Sequence, residues 1–409
     1  MASLGPAGWD AQGYWKTSQA VHQRFDPYAH DLVALRAFHE RSAVNPSEPP
    51  PFVYVYSPVT LFLLRLLASL PGWLVGLLYW AAVAIGALLE LWAGFQMADR
   101  HERRWLALLL PAIVFFPGLI TDDVILSGNV AYVLYGVILA AATAGWKRSH
   151  WSWYYVAVLG ASIFKAPFLA LLAFPVLVEN DRRQWRPSLM TAAGGVLLFA
   201  AQVRFWPTMF REQLLSLQLV FDWLHDFGYG PAGSLGRALW QQGMLSAGAT
   251  TILYLVSACW FAAILLLVAG RVRQWNLPRE TWVPIALVGT ALLNPRIQKY
   301  DLAAITIPML LIGWRSLRLG WARFGERQLF NSDGERSYSP RKLILVASGC
   351  LLIPNVITVA GPSWVPIELV VLLAIFAMGI WSLDHAVAKI QWTPSLVPTI
   401  DSTAVAAIE

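Results

Sequence analysis

The chain has 409 residues, 57% of them hydrophobic and 13% charged, with a formal net charge of +6. Soluble domains carry about 25% charged residues, and here apolar runs of roughly 20 residues recur along the whole chain, so the composition points away from a soluble globule and to an all-α polytopic integral membrane protein. The two cysteines, Cys259 and Cys350, both lie in apolar runs, which leaves no disulfide framework to expect.

Residues 1–57 are polar to mixed and include the proline run "NPSEPPP". The apolar segment 58–70 is too short to span a bilayer at 1.5 Å per residue and reads as a juxtamembrane helix. Residues 1–71 are therefore expected to form an outer loop with juxtamembrane helices. A full-length span follows at about 72–97, with further spans at about 105–120, 127–146, 187–206, 247–270, 281–294, 301–317, 342–360 and 364–385. Residues 151–179 are too long for one crossing and slightly short for two. "KAP" breaks them at Lys165, Ala166 and Pro167, because proline removes a backbone donor. The segment reads as a hairpin of two short helices with Lys165 at its apex. At about 208–226, Leu214, Leu217, Val220, Phe221 and Leu224 form an amphipathic stripe, expected to lie flat on the outer interface. Several of the 21 tryptophans, among them Trp73, Trp146, Trp151, Trp206 and Trp275, flank apolar runs as an aromatic belt does.

Topology follows from the lysines and arginines of the short loops. The loops 99–105, 146–151, 181–186 and 271–279 and the segment 315–342 are basic, and all fall on the cytoplasmic side if 58–70 does not cross and 151–179 is a hairpin. The bundle then covers 72–385, with 386–409 as a cytoplasmic tail. Residues 1–57, 121–123, 207–246, 294–301 and 361–366 fall outside. Translocation of this polar N-terminal segment with no helix before it is best explained by a missing first helix, which is the expectation; N-tail translocation without such a helix is the less common alternative.

Charged groups at helix ends collect on that outer side, and charge at membrane depth is costly enough to mark function. Asp10, Tyr14 and Tyr28 come from the N-terminal segment; Asp122, Asp123 and Asn129 from the second outer loop and the helix start after it. Lys165 comes from the hairpin, Asp222, His225 and Asp226 from the fourth outer segment, and Arg296, Lys299 and Asp301 from "NPRIQKYD". Carboxylates and cations together suit a reaction needing a base and a clamp for an anionic leaving group. Plainer readings stand beside this. Asp10 is a solvated residue, Asp122 and Asp123 cap the next helix, Lys165 snorkels to an interface, His225 is a surface histidine, and Asp301 neutralises Arg296 or Lys299 within its own turn. No Cys/His set has metal-ligand spacing and no Walker or dinucleotide motif occurs, so no cofactor is expected and no metal is required, although Asp122 and Asp123 could bind one.

The order of several segments resembles the GT-C membrane glycosyltransferases, in particular glycosyltransferase family 87. Asp10, Tyr14, Trp15, Ala20, Asp26, Pro27 and Tyr28 of "GWDAQGYWKTSQAVHQRFDPY" match its "D-x-x-x-Y-W…A…dPY" start. "YVYSPVTLFLLRLLASLP" is similar to a "Y-x-P…LP" segment through Tyr56, Pro58 and Pro71. "LSGNVAYVLYGVILAA" resembles a "GQ-N" helix through Gly128 and Asn129, and "FKAPFLALLAFPVL" a "K-x-x-P" segment, with the proline one residue early. "LNPRIQKYDL" stands where the family has a late "P-x-x-W-x-H" segment, with Arg, Lys and Asp in place of its histidine. The family's first helix is not matched, and the resemblance runs over roughly residues 9–310.

The resemblance implies a GT-C-like bundle that transfers a sugar, as mannosyltransferases do, from a polyprenyl-phosphate donor to a lipid or glycan acceptor on the outer face of a bacterial-type plasma membrane. Asp10 is then the expected general base, with inversion at the sugar. Arg296, Lys299 and Lys165 are the expected clamp on the donor phosphate, and Tyr14, Tyr28, Asp123, Asn129, Asp301 and His225 the expected sugar or acceptor contacts. No nucleic-acid partner is expected. The alternatives are a lipid or sugar transporter, which should show inverted halves that the sequence lacks, and a non-catalytic membrane partner.

Overall fold

The computed structural model describes residues 8–42, 45, 51–100, 102–104, 106, 128–179, 181–246, 248–294, 296–298, 301–302, 305–329 and 367–392. All regular structure among them is helical. Helices α1 (Trp9–His22), α2 (Pro27–Ser42) and α3 (Thr60–Ala68) precede the long α4 (Gly72–Met97). Then come α5 (Ala131–Arg148), α6 (Ser152–Phe164), a 3-10 segment (Ala166–Leu172) and α7 (Ala173–Glu179). They are followed by α8 (Trp185–Phe205), α9 (Pro207–Leu224), α10 (Pro231–Gln241), α11 (Thr250–Gln274), α12 (Arg279–Leu292), α13 (Thr306–Leu329) and α14 (Ile367–Trp392).

Three helices, α4, α8 and α11, are long and apolar enough to cross a membrane. At 1.5 Å per residue they reach about 39, 32 and 38 Å, against a hydrocarbon core of about 30 Å. Each leaves most of its surface outside the bundle, with Leu88, Leu197 and Leu267 more than 60% exposed. Other expected spans look different. The one at 281–294 is the 14-residue α12, about 21 Å long. From Trp282 to Leu292 every residue of it is buried, because α7, α11, α13 and α14 surround it. The stretch expected as a basic loop from 315 begins as the second half of α13, and α14 continues past the expected tail boundary at 386 to Trp392. The expected spans 105–120 and 342–360 lie mostly or wholly outside the described residues.

Residues 151–179 form the expected hairpin, with a difference in its second arm. Helix α6 stops at Lys165, whose extended backbone (φ −139°, ψ 111°) turns the chain, and Pro167 then opens a 3-10 segment rather than a second α-helix. Trp151 Nε1 donates to Glu179 Oε1 at 3.0 Å, closing the base of the hairpin, and Tyr154 Oη donates to the Leu171 carbonyl at 2.6 Å across it.

The base of the hairpin is also where the basic loops meet. Arg279 forks onto Glu179 and reaches the Trp146 carbonyl and Ser149. Arg315 grips Glu102 with two N–H groups (2.8 and 2.9 Å) and bonds the carbonyls of Glu280 and Met97. Lys147 bonds Gln96. These contacts gather the ends of α4, α5, α7 and the start of α12 at one end of the bundle. One helix length away, about 20 Å for the 13 and 14 residues of α6 and α12 and about 27 Å for the 18 of α5, lie the start of α5, the hairpin apex and the end of α12.

The N-terminal helices build a separate aromatic cluster at that far end. Tyr28, Tyr54, Tyr56, Leu61 and Leu64 form its buried centre. Asp26 caps α2 by accepting the Tyr28 N–H at 2.9 Å, and buried Asp31 accepts the Tyr54 N–H at 2.7 Å. Helix α9 covers α2. Its buried residues are Phe210, Gln213, Ser216 and Val220, while Leu214 is 45% exposed. Gln213 is inside because its amide donates to the Val55 carbonyl at 3.1 Å, which satisfies a backbone group a leucine would leave orphaned.

Candidate functional site

Two polar clusters meet at the end of the bundle opposite the basic loops, and Lys165 stands between them. The first is built on Asn129. Gly128 has φ +73° and sits against Ala11, where a Cβ would lie 2.7 Å from that alanine's own. Only glycine allows both the left-handed turn and the close approach of α1. The turn sets Asn129, 4% exposed, beneath Asp10. Its Nδ2 donates to Asp10 Oδ2 at 2.7 Å, and its Oδ1 accepts the Ala131 N–H at 2.9 Å. That backbone bond fixes which way the amide points, so the nitrogen is aimed at the carboxylate. The same amide reaches Tyr56 Oη at 3.2 Å, which in turn shares a 2.6 Å hydrogen bond with Tyr14 Oη. Lys165 Nζ lies 5.6 Å from the centroid of the Tyr56 ring, a cation–π contact.

The second cluster joins two segments far apart in sequence. Gly228, with φ +77°, lets the 225–230 loop settle on the 296–298 turn, where a Cβ would lie 2.9 Å from the Ile297 carbonyl oxygen. Tyr229 N donates to that same oxygen at 2.7 Å. Asp226 is thereby brought to Arg296, with which it forms an ion pair, and to Gln298 Nε2 at 3.0 Å. Arg296 also lies over the Phe221 ring at 5.1 Å. Its Nε is buried and has no hydrogen-bond partner among the described residues. Asp301, 6% exposed, accepts the Gln298 N–H at 2.8 Å and lies 3.5 Å from the Asn294 amide nitrogen. Tyr135 of α5 faces both Asn294 and Asp301.

The electrostatics tie the clusters together. Lys165 interacts with Asp301, Asp10, Arg296 and Asp226. Burial pushes the Asp10 carboxyl above the usual carboxylate range, and the Asn129 hydrogen bond and the Lys165 charge counter this only in part. Asp301 is raised in the same way by burial, against Lys165 and the Gln298 N–H. Asp226 goes the other way: burial alone would raise it, but Arg296, Gln298 and the Gly228 N–H together hold it below its ordinary value. The site thus holds a firmly ionised carboxylate next to Arg296 and a more basic one at Asp10.

Of the residues singled out from the sequence, Asp10, Asn129, Tyr14, Lys165, Arg296 and Asp301 come together here. Lys299 and Asp123 lie outside the described residues. Tyr28 is fully buried, and its hydroxyl donates to the Tyr56 carbonyl at 2.6 Å. It braces the segment carrying Tyr56 and offers no face to a sugar. His225 ends α9 in a left-handed conformation and stacks on Trp240 at 3.6 Å between centroids. Its pKa is lowered by burial. Asp301 does not neutralise Arg296 within its own turn; the turn's N–H holds Asp301, and Arg296 pairs with Asp226. Tyr56, Gln298 and Asn294 are site residues that sequence reasoning passed over, as was the role of Asp226. Among the described residues no group of three or more His, Cys, Asp or Glu side chains is arranged to hold a metal ion.

No family model, curated protein or solved structure matches the chain.

Proposed function

We propose that the chain is a polytopic membrane glycosyltransferase of the GT-C type that moves a sugar from a polyprenyl-phosphate donor to a lipid or glycan hydroxyl, its site on the outer face of the cell membrane. The observation that carries this reading is the convergence of Asp10, Lys165 and Arg296 at the bundle end opposite the basic loops. A lipid phosphodiester lies in the bilayer with its phosphate at the interface, where helix ends meet it.

The chemistry follows from the two clusters. The acceptor oxygen attacks the anomeric carbon as its proton passes to Asp10. The bond from that carbon to the phosphate oxygen breaks, and its electron pair leaves on the polyprenyl phosphate, so the sugar configuration inverts. A base works best when its pKa approaches the working pH, and burial moves Asp10 in that direction. The departing phosphate gains charge in a partly dry site, where cations act strongly. Arg296 has a buried donor with no acceptor among the described residues, and a phosphate oxygen would satisfy it. Lys165 supplies a point charge between leaving group and base. Tyr14 and Tyr56 border the base, where a sugar hydroxyl would lie.

Two experiments test the reading. In membranes given radiolabelled polyprenyl-phosphate mannose, Asp10→Asn should abolish transfer while leaving expression and donor binding intact; undiminished turnover removes Asp10 as the base. Cysteines placed beside Asp10 should react with an impermeant reagent from outside, and one beside Arg183 should not. The reverse pattern overturns the outer-face site.

The transporter reading draws on Glu90. It sits within α4, 5% exposed, with one carboxyl oxygen lacking a partner among the described residues. Buried carboxyls in spans mark proton or ion pathways. Sugar uptake into proteoliposomes that Glu90→Gln abolishes, with no transfer activity, would favour it.

A further inference from the structure

The end of the bundle that gathers the basic loops holds a site of another kind. Between the close of the hairpin and the α11–α12 junction lies a cavity of about 760 Å³, with Glu179, Asp181, Arg183, Arg273, Asn276 and Arg279 as its polar wall. Small-molecule sites run from roughly 300 to 1,000 Å³, so this is room for a ligand rather than for a few waters. Three guanidinium groups line it against two carboxylates. Glu179 is already engaged, gripped by Arg279 at 2.8 and 3.3 Å. Asp181 meets Arg183 at only 3.9 Å, with the arginine side chain 92% exposed, a contact weak enough to give way. Among its lining residues the cavity thus sets three guanidinium groups against two carboxylates, with Arg183 at its exposed rim.

An apolar groove adjoins one wall of this cavity across the buried Leu177. Leu177 lines both. The groove, about 230 Å³, runs between α7, α8 and α11 past Leu172, Val176, Leu189, Ala192 and Leu266. Two of its flanking helices, α8 and α11, are long and apolar enough to cross a membrane, and Leu189 and Leu266 are 61% and 51% exposed on them. A polar pocket with three arginines thus lies beside a groove on surfaces suited to lipid.

We propose that cavity and groove together bind a phospholipid with an anionic headgroup, the phosphate between Arg183 and Arg273 and an acyl chain along Leu189 and Ala192. A soluble phosphate ester would use only the polar half and leave the groove unexplained. Basic pockets between membrane helices select anionic headgroups in this way. The lipid would brace the base of the hairpin, whose closure rests on the Trp151–Glu179 and Arg279–Glu179 contacts. This rests on the membrane setting and is independent of the transferase reading.

The test uses the purified full chain in a neutral detergent, with native mass spectrometry to count retained lipid and thermal unfolding to read its effect. Dioleoyl phosphatidylglycerol should be retained and raise Tm, while dioleoyl phosphatidylcholine should do neither. Arg183→Gln with Arg273→Gln should weaken phosphatidylglycerol retention about tenfold or more, since two basic side chains leave an anionic headgroup. Both side chains are solvent-exposed, so the fold should survive, and Arg104→Gln, also exposed, should change nothing. Ala192→Phe should reduce retention of the long-chain lipid but not of dihexanoyl phosphatidylglycerol. Equal retention of the two dioleoyl lipids, an unaltered double variant, or full stabilisation by inorganic phosphate alone would overturn the proposal.

Discussion

Asn129 offers the sharpest test of whether Asp10 is a base. Its amide makes a 2.7 Å hydrogen bond to Asp10 Oδ2 in a nearly buried setting. A hydrogen bond to a charged group contributes about 1.5–3 kcal/mol. Asn129→Ala removes that stabilisation from the carboxylate and leaves the protonated acid little changed. At 1.4 kcal/mol per factor of ten, the proton equilibrium of Asp10 should move roughly 10- to 150-fold toward the acid. The burial of Asp10 already acts in that direction. The base must be ionised to work, so the acid limb of kcat/KM should shift to higher pH, with the plateau above it largely kept. The assay is transfer from radiolabelled polyprenyl-phosphate mannose across a pH series in purified membranes. Asn129→Asp serves as a companion, because it keeps an acceptor for the Ala131 N–H while placing a second carboxylate beside Asp10. That variant should shift the limb further, like charges disfavouring ionisation. An acid limb in the same place in all three proteins, at equal expression, would mean that Asp10 does not titrate in the rate-determining chemistry.

Two other perturbations separate donor binding from scaffold. Arg296→Ala should raise the donor KM by roughly 10- to 100-fold through loss of a charge-assisted contact, and Arg296→Lys should recover little of it, since lysine lacks the planar fork; a wild-type KM in steady-state kinetics would make the turn structural. Arg315→Ala should lower stability by about 3–5 kcal/mol, the usual result of orphaning a buried charge, because Glu102 is 2% exposed and loses both arms of its partner. Adding Glu102→Gln should restore part of it, and an unchanged Tm in the single variant would contradict the pairing.

What could be read in advance was whatever depended on neighbours in sequence. The long apolar runs of α4, α8 and α11 announce themselves through composition, and "KAP" announces the hairpin because proline acts on its own backbone. Contacts between distant residues were beyond reach. Asp10 and Asn129 are 119 positions apart and Arg296 and Asp226 are 70 apart, so nothing local says that the arginine has a carboxylate from another segment. Tyr56 stood out only as a matched position in the resembled segment, and nothing local says that its hydroxyl meets Asn129 and Tyr14. The stripe on α9 is legible as periodicity, but the inward turn of Gln213 to the Val55 carbonyl, 158 positions away, is not. Helix α12 reads as a span because its residues are apolar, but their burial comes from four surrounding helices.

Arg315 and Arg279 at one end of the bundle and Arg296 at the other are used in opposite ways, and this separates scaffold from candidate site better than charge alone does. Guanidinium offers five N–H donors. Arg315 makes four hydrogen bonds, two to Glu102 and two to backbone carbonyls from different elements. Arg279 likewise spends its terminal nitrogens on Glu179, Trp146 and Ser149. Such saturation fits groups whose task is to tie helix ends together. Arg296 bonds Asp226 yet keeps a buried Nε–H with no acceptor among the described residues, at a cost of about 1–3 kcal/mol for an unsatisfied donor. A folded chain rarely retains such a deficit without a compensating use. The Asp226 pair holds the guanidinium in place; on the proposed reading, the donor phosphate would make the missing bond and Lys165 would extend the positive field toward Asp10. The first perturbation to attempt at the clamp is therefore Asp226→Asn. It should leave Arg296 charged but loosely held, weakening donor binding less than removal of the arginine does. If Asp226→Asn instead tightened donor binding, the carboxylate would be a competitor for Arg296 rather than its support.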